Sequence, residues 1–142
     1  MAGRLFGTVN CYPHDRVASQ PRLKIQLSNF AEERWEDNTF APIDTGFSGA
    51  VMLPNESYEF FMVGEHPRSL WKTYRTMTGT LQMRVARAFV ETEGGRMVET
   101  VVETPLFGTG KLLLGRAVLS SLSLLLDGPA GVSCLVKPAD AR

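Results

Sequence analysis

An all-β fold is predicted by three features: apolar and polar residues alternating at a period of two, turn signals at short intervals, and one strong hairpin signal. The clearest alternation is Leu23-Lys24-Ile25-Gln26-Leu27, which sets three apolar side chains on one face of a half-buried strand. The hairpin signal is Glu93-Gly94-Gly95-Arg96, where glycine supplies the positive φ that tight turns need.

The remaining elements follow in order. Residues 4–11, with Leu5, Phe6, Thr8 and Val9, are expected as the first strand, interrupted by Pro13 and the polar stretch 14–20. The charged segment 29–38 reads as an exposed turn or loop. Residues 39–43 form a short strand feeding Asp44-Thr45-Gly46, and residues 50–53 a strand ended by Pro54. Asn55 is expected to cap a short helix over 56–63, with Gly64 just beyond it. Residues 70–76 lead to a turn at Thr78-Gly79. Leu81, Met83, Val85, Ala88 and Val90 mark one long strand with a register change near Ala86–Ala88. It returns through the Gly94-Gly95 hairpin to a partner strand carrying Met97, Val98, Val101 and Val102. A short strand at 112–114, a short helix at 116–122, and strands at 123–126 and 132–136 around the turn 127–131 complete the pattern. Residues 137–142 read as a loose tail.

The length of 142 residues and the lack of an internal repeat predict one domain over 1–142, with its core at about 5–136. Hydrophobic residues at 44% and charged residues at 21% are ordinary for a globular chain. Fifteen basic side chains balance fifteen acidic ones. That balance gives no footprint for nucleic acid and no polybasic membrane patch. The longest apolar run, 112–126, is broken by Gly115, Arg116 and serines, so it does not span a bilayer. No apolar signal region follows residues 1–4, and a cytoplasmic location is expected.

Cys11 and Cys134 lack metal-ligand spacing and read as two small, buried, unreactive thiols. A sharper reading has both termini supplying strands to one sheet, which brings the thiols close; a cytosolic setting argues against a stable bridge even then. His14 and His66 are isolated and read as surface or loop residues, so neither a metal nor another cofactor is expected. Ser48 sits in Gly-Phe-Ser-Gly, one residue short of a nucleophile elbow, and Gly108-Thr109-Gly110-Lys111 lacks the full phosphate-loop pattern. Trp35 and Trp71 read as packing residues, with a place for Trp71 near a cleft left open.

The chemistry concentrates in Phe40-Ala41-Pro42-Ile43-Asp44-Thr45-Gly46-Phe47-Ser48-Gly49-Ala50. An apolar strand ending in Asp-Thr-Gly puts a carboxylate at a tight turn, and its glycines leave room for a neighbouring backbone. Alone, the tripeptide also reads as a simple Asx turn. A second segment, Leu112-Leu113-Leu114-Gly115-Arg116-Ala117-Val118-Leu119, is an apolar strand, a glycine and a short amphipathic helix.

Together the two segments resemble the retropepsin-like aspartic proteases, over about residues 6–136. The resemblance implies a closed β-barrel of the acid-protease type with one or two short helices and a flap hairpin. It implies Asp44 as catalytic carboxylate, with Thr45 and Gly46 completing its loop and Thr45 bonding across a homodimer. Phe47, Ser48 and Gly49 would border the substrate, and Met77, Thr78, Gly79 and Thr80 would form the flap tip. Gly115 would allow close packing behind the loop, and Arg116 would brace the dimer or the active-site edge. The terminal strands would contribute to the subunit interface. Many viral members carry an acidic residue where this chain has Ser48, and an Asp or Asn where it has Ala117; Phe47-Ser48-Gly49 looks more like the cellular bacterial and archaeal members.

The implied function is hydrolysis of peptide bonds by water activated between two aspartates. A chain with one Asp-Thr-Gly obtains the second by pairing with itself. The alternative is an inactive protease-fold module for peptide binding or dimerisation.

Overall fold

The computed structural model describes residues 6–37 and 39–138. Strands dominate it: β1 (Phe6–Pro13), β2 (Arg22–Asn29), β3 (Thr39–Pro42), β4 (Val51–Met52), β5 (Lys72–Thr76), β6 (Gly79–Thr92), β7 (Val98–Pro105), β8 (Leu113–Leu114), β9 (Leu124–Asp127) and β10 (Val132–Pro138). Two short helices, α1 (Asn55–Tyr58) and α2 (Arg116–Leu119), and 3₁₀ turns over Glu59–Gly64 and Arg68–Leu70 complete it. Residues 4–5 of the expected first strand, Asn38 of the expected loop and positions 139–142 of the expected tail lie outside the described residues. Lys137 and Pro138 belong to β10.

The alternation in β2 works as predicted. Leu23, Ile25 and Leu27 are buried while Lys24 and Gln26 between them are half-exposed. Each such aliphatic side chain contributes about 1.5–3 kcal/mol on burial, so a one-residue slip of this strand would cost the whole inward face. Around it pack Val51, Tyr58, Phe61, Val102 and Leu114.

The larger sheet runs β3-β2-β6-β7-β4-β8, with β5 added along β6. The long strand β6 is its spine. Residues 79–83 pair with β5, 83–90 with β7, and 88–92 with β2. The register with β7 is continuous, so the expected register change near Ala86–Ala88 does not occur. Adjacent apolar residues there have another cause: Val85 and Ala86 are both buried, because the Glu59–Gly64 turn packs against the strand and Glu65 bridges to Ala86. The sheet is an open path among the described strands. A single parallel bridge, Ile43–Leu114, links its ends in place of a ladder, so the expected closed barrel is not what the pairing shows.

Two local expectations are corrected. α1 is one turn long before it tightens to 3₁₀, and Asn55 does not cap it; the capping position is Pro54, without a side-chain bond. Asn55 instead accepts from the Thr104 hydroxyl (2.7 Å) and donates to the Gly108 carbonyl (3.2 Å). β7, lying alongside, offers partners that the helix end cannot match.

The cysteines are not two buried thiols. A smaller sheet, β1-β10-β9, joins the two ends of the chain and sets Cys11 directly opposite Cys134. Their sulfurs are bonded, with Cys11 exposed and Cys134 buried. Closing a loop over a separation of 123 residues stabilises the fold by roughly 5 kcal/mol on a chain-entropy account. The sharper sequence reading, in which both termini share one sheet, is the one realised. β1 also runs to Pro13, a residue tolerated at the end of an edge strand. No helix among the described residues is long and apolar enough to cross a membrane.

Candidate active site

Asp44 leaves the sheet where its strand crosses β8. The Ile43 N–H donates to the Pro21 carbonyl and the Asp44 N–H to the Leu114 carbonyl, each at 2.9 Å. The chain then turns on itself: the Gly46 N–H donates to Asp44 Oδ1 (2.9 Å), and the Phe47 N–H to the Asp44 carbonyl (3.2 Å). This is an Asx turn, the bland reading of the tripeptide, but one whose whole length is fastened from behind.

The fastening comes from the second sequence segment. N–H groups of Gly115, Arg116 and Ala117 donate to the carbonyls of Ala50 (2.7 Å), Phe47 (2.8 Å) and Gly49 (3.1 Å). Arg116 Nη1 donates to the Thr45 carbonyl (2.8 Å), so the guanidinium braces the turn's edge. A Cβ at position 115 would stand against the Gly49 carbonyl and 2.8 Å from the Phe47 carbonyl. Close approach of backbone therefore leaves room only for glycine there.

A cleft of about 410 Å³ opens over this turn. Asp44 lies in its wall with Phe47, Met52, Tyr74, Leu81 and Leu113, an acidic group among mostly apolar side chains. Gly46 and Ser48 also line it. Thr45 and Gly49 do not: Thr45 is exposed beside the turn, and Gly49 is buried behind the wall. Of the expected flap-tip residues, none lines the cleft. Met77 and Thr78 join β5 to β6, with Thr76 opposite Gly79, and all four residues from Met77 to Thr80 are exposed. The hairpin wall is formed lower down, by Tyr74, Arg75, Thr76 and Leu81.

Sequence reasoning passed over Glu103. It is fully buried on β7, and its carboxylate accepts from the Tyr74 hydroxyl at 2.6 Å and from Lys72 Nζ at 3.3 Å. Burial, then the hydrogen bond and charge of Glu103, raise the Tyr74 phenol well above its ordinary value and keep it protonated. No sequence signal singles out Glu103, because Val102-Glu103-Thr104 repeats the pattern of Val98-Glu99-Thr100, whose glutamate is exposed. Trp71 is not in the cleft wall; its indole donates to the His66 carbonyl at 3.0 Å. Trp35 packs edge-on against Phe61 in the core. Both histidines lie in loops. Among the described residues no three His, Cys, Asp or Glu side chains are grouped to hold a metal ion.

Neither a family model nor a curated protein sequence matches the chain. Solved structures do match its fold, two proteases among them. A retropepsin-like aspartic protease from Rickettsia conorii superposes with a TM-score of 0.54 at 16% identity, over 92% of this chain and 98% of its own. EIAV protease, complexed with the inhibitor HBY-793, superposes with a TM-score of 0.52 at 14% identity, over 79% of this chain and 98% of its own. At these identities the likeness is one of fold, and the fold is retropepsin-like.

Proposed function

From the retropepsin-like fold, we propose that this chain is an aspartic endopeptidase that works as a homodimer, with one Asp44 contributed by each protomer. The observation that carries the proposal is Asp44 itself: a carboxylate in the wall of an apolar cleft, on a turn fastened by the backbone of residues 114–117. One such group cannot act as base and acid at once. Two carboxylates brought together cannot both ionise cheaply and therefore share one proton. The ionised partner takes a proton from water, which attacks the scissile carbonyl, and the protonated partner donates to the developing oxyanion or the leaving nitrogen. Both acid dissociations belong to the pair.

The other assignments follow from this reading. An extended peptide lies in the cleft as an added strand, with apolar side chains against Phe47, Met52 and Leu113. The β5–β6 hairpin is the flap, and Met77–Thr80 close over the substrate from its tip. Thr45, exposed beside Asp44, bonds to its counterpart across the twofold axis, and the terminal strands contribute to the interface. A cytoplasmic location belongs to the same proposal. A reducing cytoplasm would open the Cys11–Cys134 bridge of the structure, and the backbone ladder between β1 and β10 would still hold the terminal strands together.

The test is incubation of the purified protein with a mixed peptide library from about pH 3 to 7, a range that brackets dyad titration, beside the Asp44→Asn variant. Cleavage is expected from the parent and none from the variant, with the dimer retained in both. Equal cleavage by the variant would remove Asp44 from the mechanism. Peptide binding without cleavage at any pH would turn the assignment to the inactive module.

A further inference from the structure

A carboxylate with no solvent exposure is costly unless it is paired and hydrogen-bonded. Glu103 meets that condition in an unusual place. Oε1 accepts the short bond from the Tyr74 hydroxyl (2.6 Å); Oε2 accepts from Lys72 Nζ (3.3 Å) and from the Ala50 N–H (3.4 Å). Its partners therefore belong to the two segments that border the cleft, β5 and the turn that begins at Asp44. Lys72 and Tyr74 are alternate residues of β5 and share one face of that strand. Ala50 ends the turn that begins at Asp44. Because the Lys72 side chain is 41% exposed, its ion pair is screened, and the shorter, part-buried Tyr74 bond is the stronger hold.

The turn is shaped around the same group. A Cβ on Gly49 would fall 2.5 Å from Glu103 Oε2 and 2.7 Å from the Tyr74 hydroxyl. The Tyr74 ring lies 5.7 Å from the Phe47 ring, centroid to centroid, so the two aromatic walls of the cleft touch above the carboxylate. β5 pairs only with β6, so its other edge has no ladder among the described strands. Beyond the β6 ladder and the Tyr74–Phe47 contact, what ties β5 to the turn is Glu103.

We propose that Glu103 is a positioning residue: through Tyr74, Lys72 and the Ala50 amide it locks the base of the β5–β6 hairpin to the Asp44 turn and so sets the width of the cleft. The hairpin pivots about this buried point, and its tip is free to move while Tyr74 stays against Phe47. The inference rests on the protease reading for its effect on turnover, but the lock itself is a property of the fold.

Two measurements on Tyr74→Phe, Glu103→Gln and the double variant separate the two claims. The first is amide hydrogen exchange, which needs no activity. Exchange over residues 72–82 is expected to accelerate in both single variants, while residues 23–27 in β2 stay protected. The second is peptide cleavage at a temperature where all variants are folded. There kcat/KM should fall by about ten- to hundredfold, the range for losing a hydrogen bond to a charged group. The double variant should be no worse than the poorer single one, since both changes break the same link. A merely structural role predicts instead that activity tracks the folded fraction. Unchanged exchange over 72–82, or full activity in Glu103→Gln, overturns the proposal. A parent protein that cleaves nothing while its variants show faster exchange would retain the lock and remove the protease reading.

Discussion

The Asp44 turn and the tip of the β5–β6 hairpin are held by opposite means. The turn is exposed in part, yet its backbone is laced to residues 114–117, and both Gly49 and Gly115 are packed too tightly for a side chain. The tip has almost nothing behind it. Met77 is fully exposed, and the turn is held by its own Thr76, whose hydroxyl donates to the Gly79 carbonyl at 2.8 Å. Gly79 itself has open space around it, and is suited to its place only by a φ of 133°. On the proposed protease reading, the catalytic carboxylate sits on the rigid side and the flap on the other. Glu103 stands at the boundary between them.

The contrast is broken most directly at Gly115. Gly115→Ala should destabilise the protein by about 3 kcal/mol or more, as for overpacking against backbone, read as a lower urea midpoint. A loss below about 1 kcal/mol would mean that the turn yields, and that its rigidity is overstated.

Alkaline titration sharpens the grip on β5. The chain has three tyrosines, and burial raises the phenols of Tyr12, Tyr58 and Tyr74 first, followed in each case by a hydrogen bond to Glu93, Glu65 or Glu103 and by its charge. A folded-state value above the unfolded 10.0 gives stability that is complete below pH 10 and is lost as pH rises past it. Folded protein at about pH 10.5 should therefore show almost no phenolate absorbance, where unfolded chains are mostly ionised. One tyrosine titrating normally near 10 in the folded state would argue that its carboxylate partner is not engaged.

The smallest effect belongs to the tip. Gly79→Ala puts a side chain into empty space but onto a positive φ, and should cost about 1–2 kcal/mol. A cost as large as that of Gly115→Ala would erase the distinction between the two regions.

Much of this was legible in the residues. The β2 alternation, the Gly94-Gly95 hairpin and the strand–turn geometry of Asp44-Thr45-Gly46 depend on neighbours in sequence, and each was found where expected. Gly115-Arg116 was tied to that turn only through the resemblance to the retropepsin-like proteases, since nothing local to residues 112–119 points to residues 44–50. The failures share a different cause. Asn55 carries every local sign of a helix cap, but Thr104 and Gly108, some 50 positions away, offered its side chain better partners. The adjacent apolar residues of β6 suggested a bulge, whereas a 3₁₀ turn covers the strand's second face.

Local pattern thus determined which segments are strands, where the carboxylate turn lies and which glycines it needs, because strand period and turn stereochemistry act over a few residues. Tertiary structure decided that Cys11 is bonded to Cys134, that no ladder closes the larger sheet among the described strands, and that Glu103 joins β5 to the Asp44 turn. Those outcomes depend on the register between strands far apart in the chain, and the value of a buried carboxylate depends on what that register sets beside it.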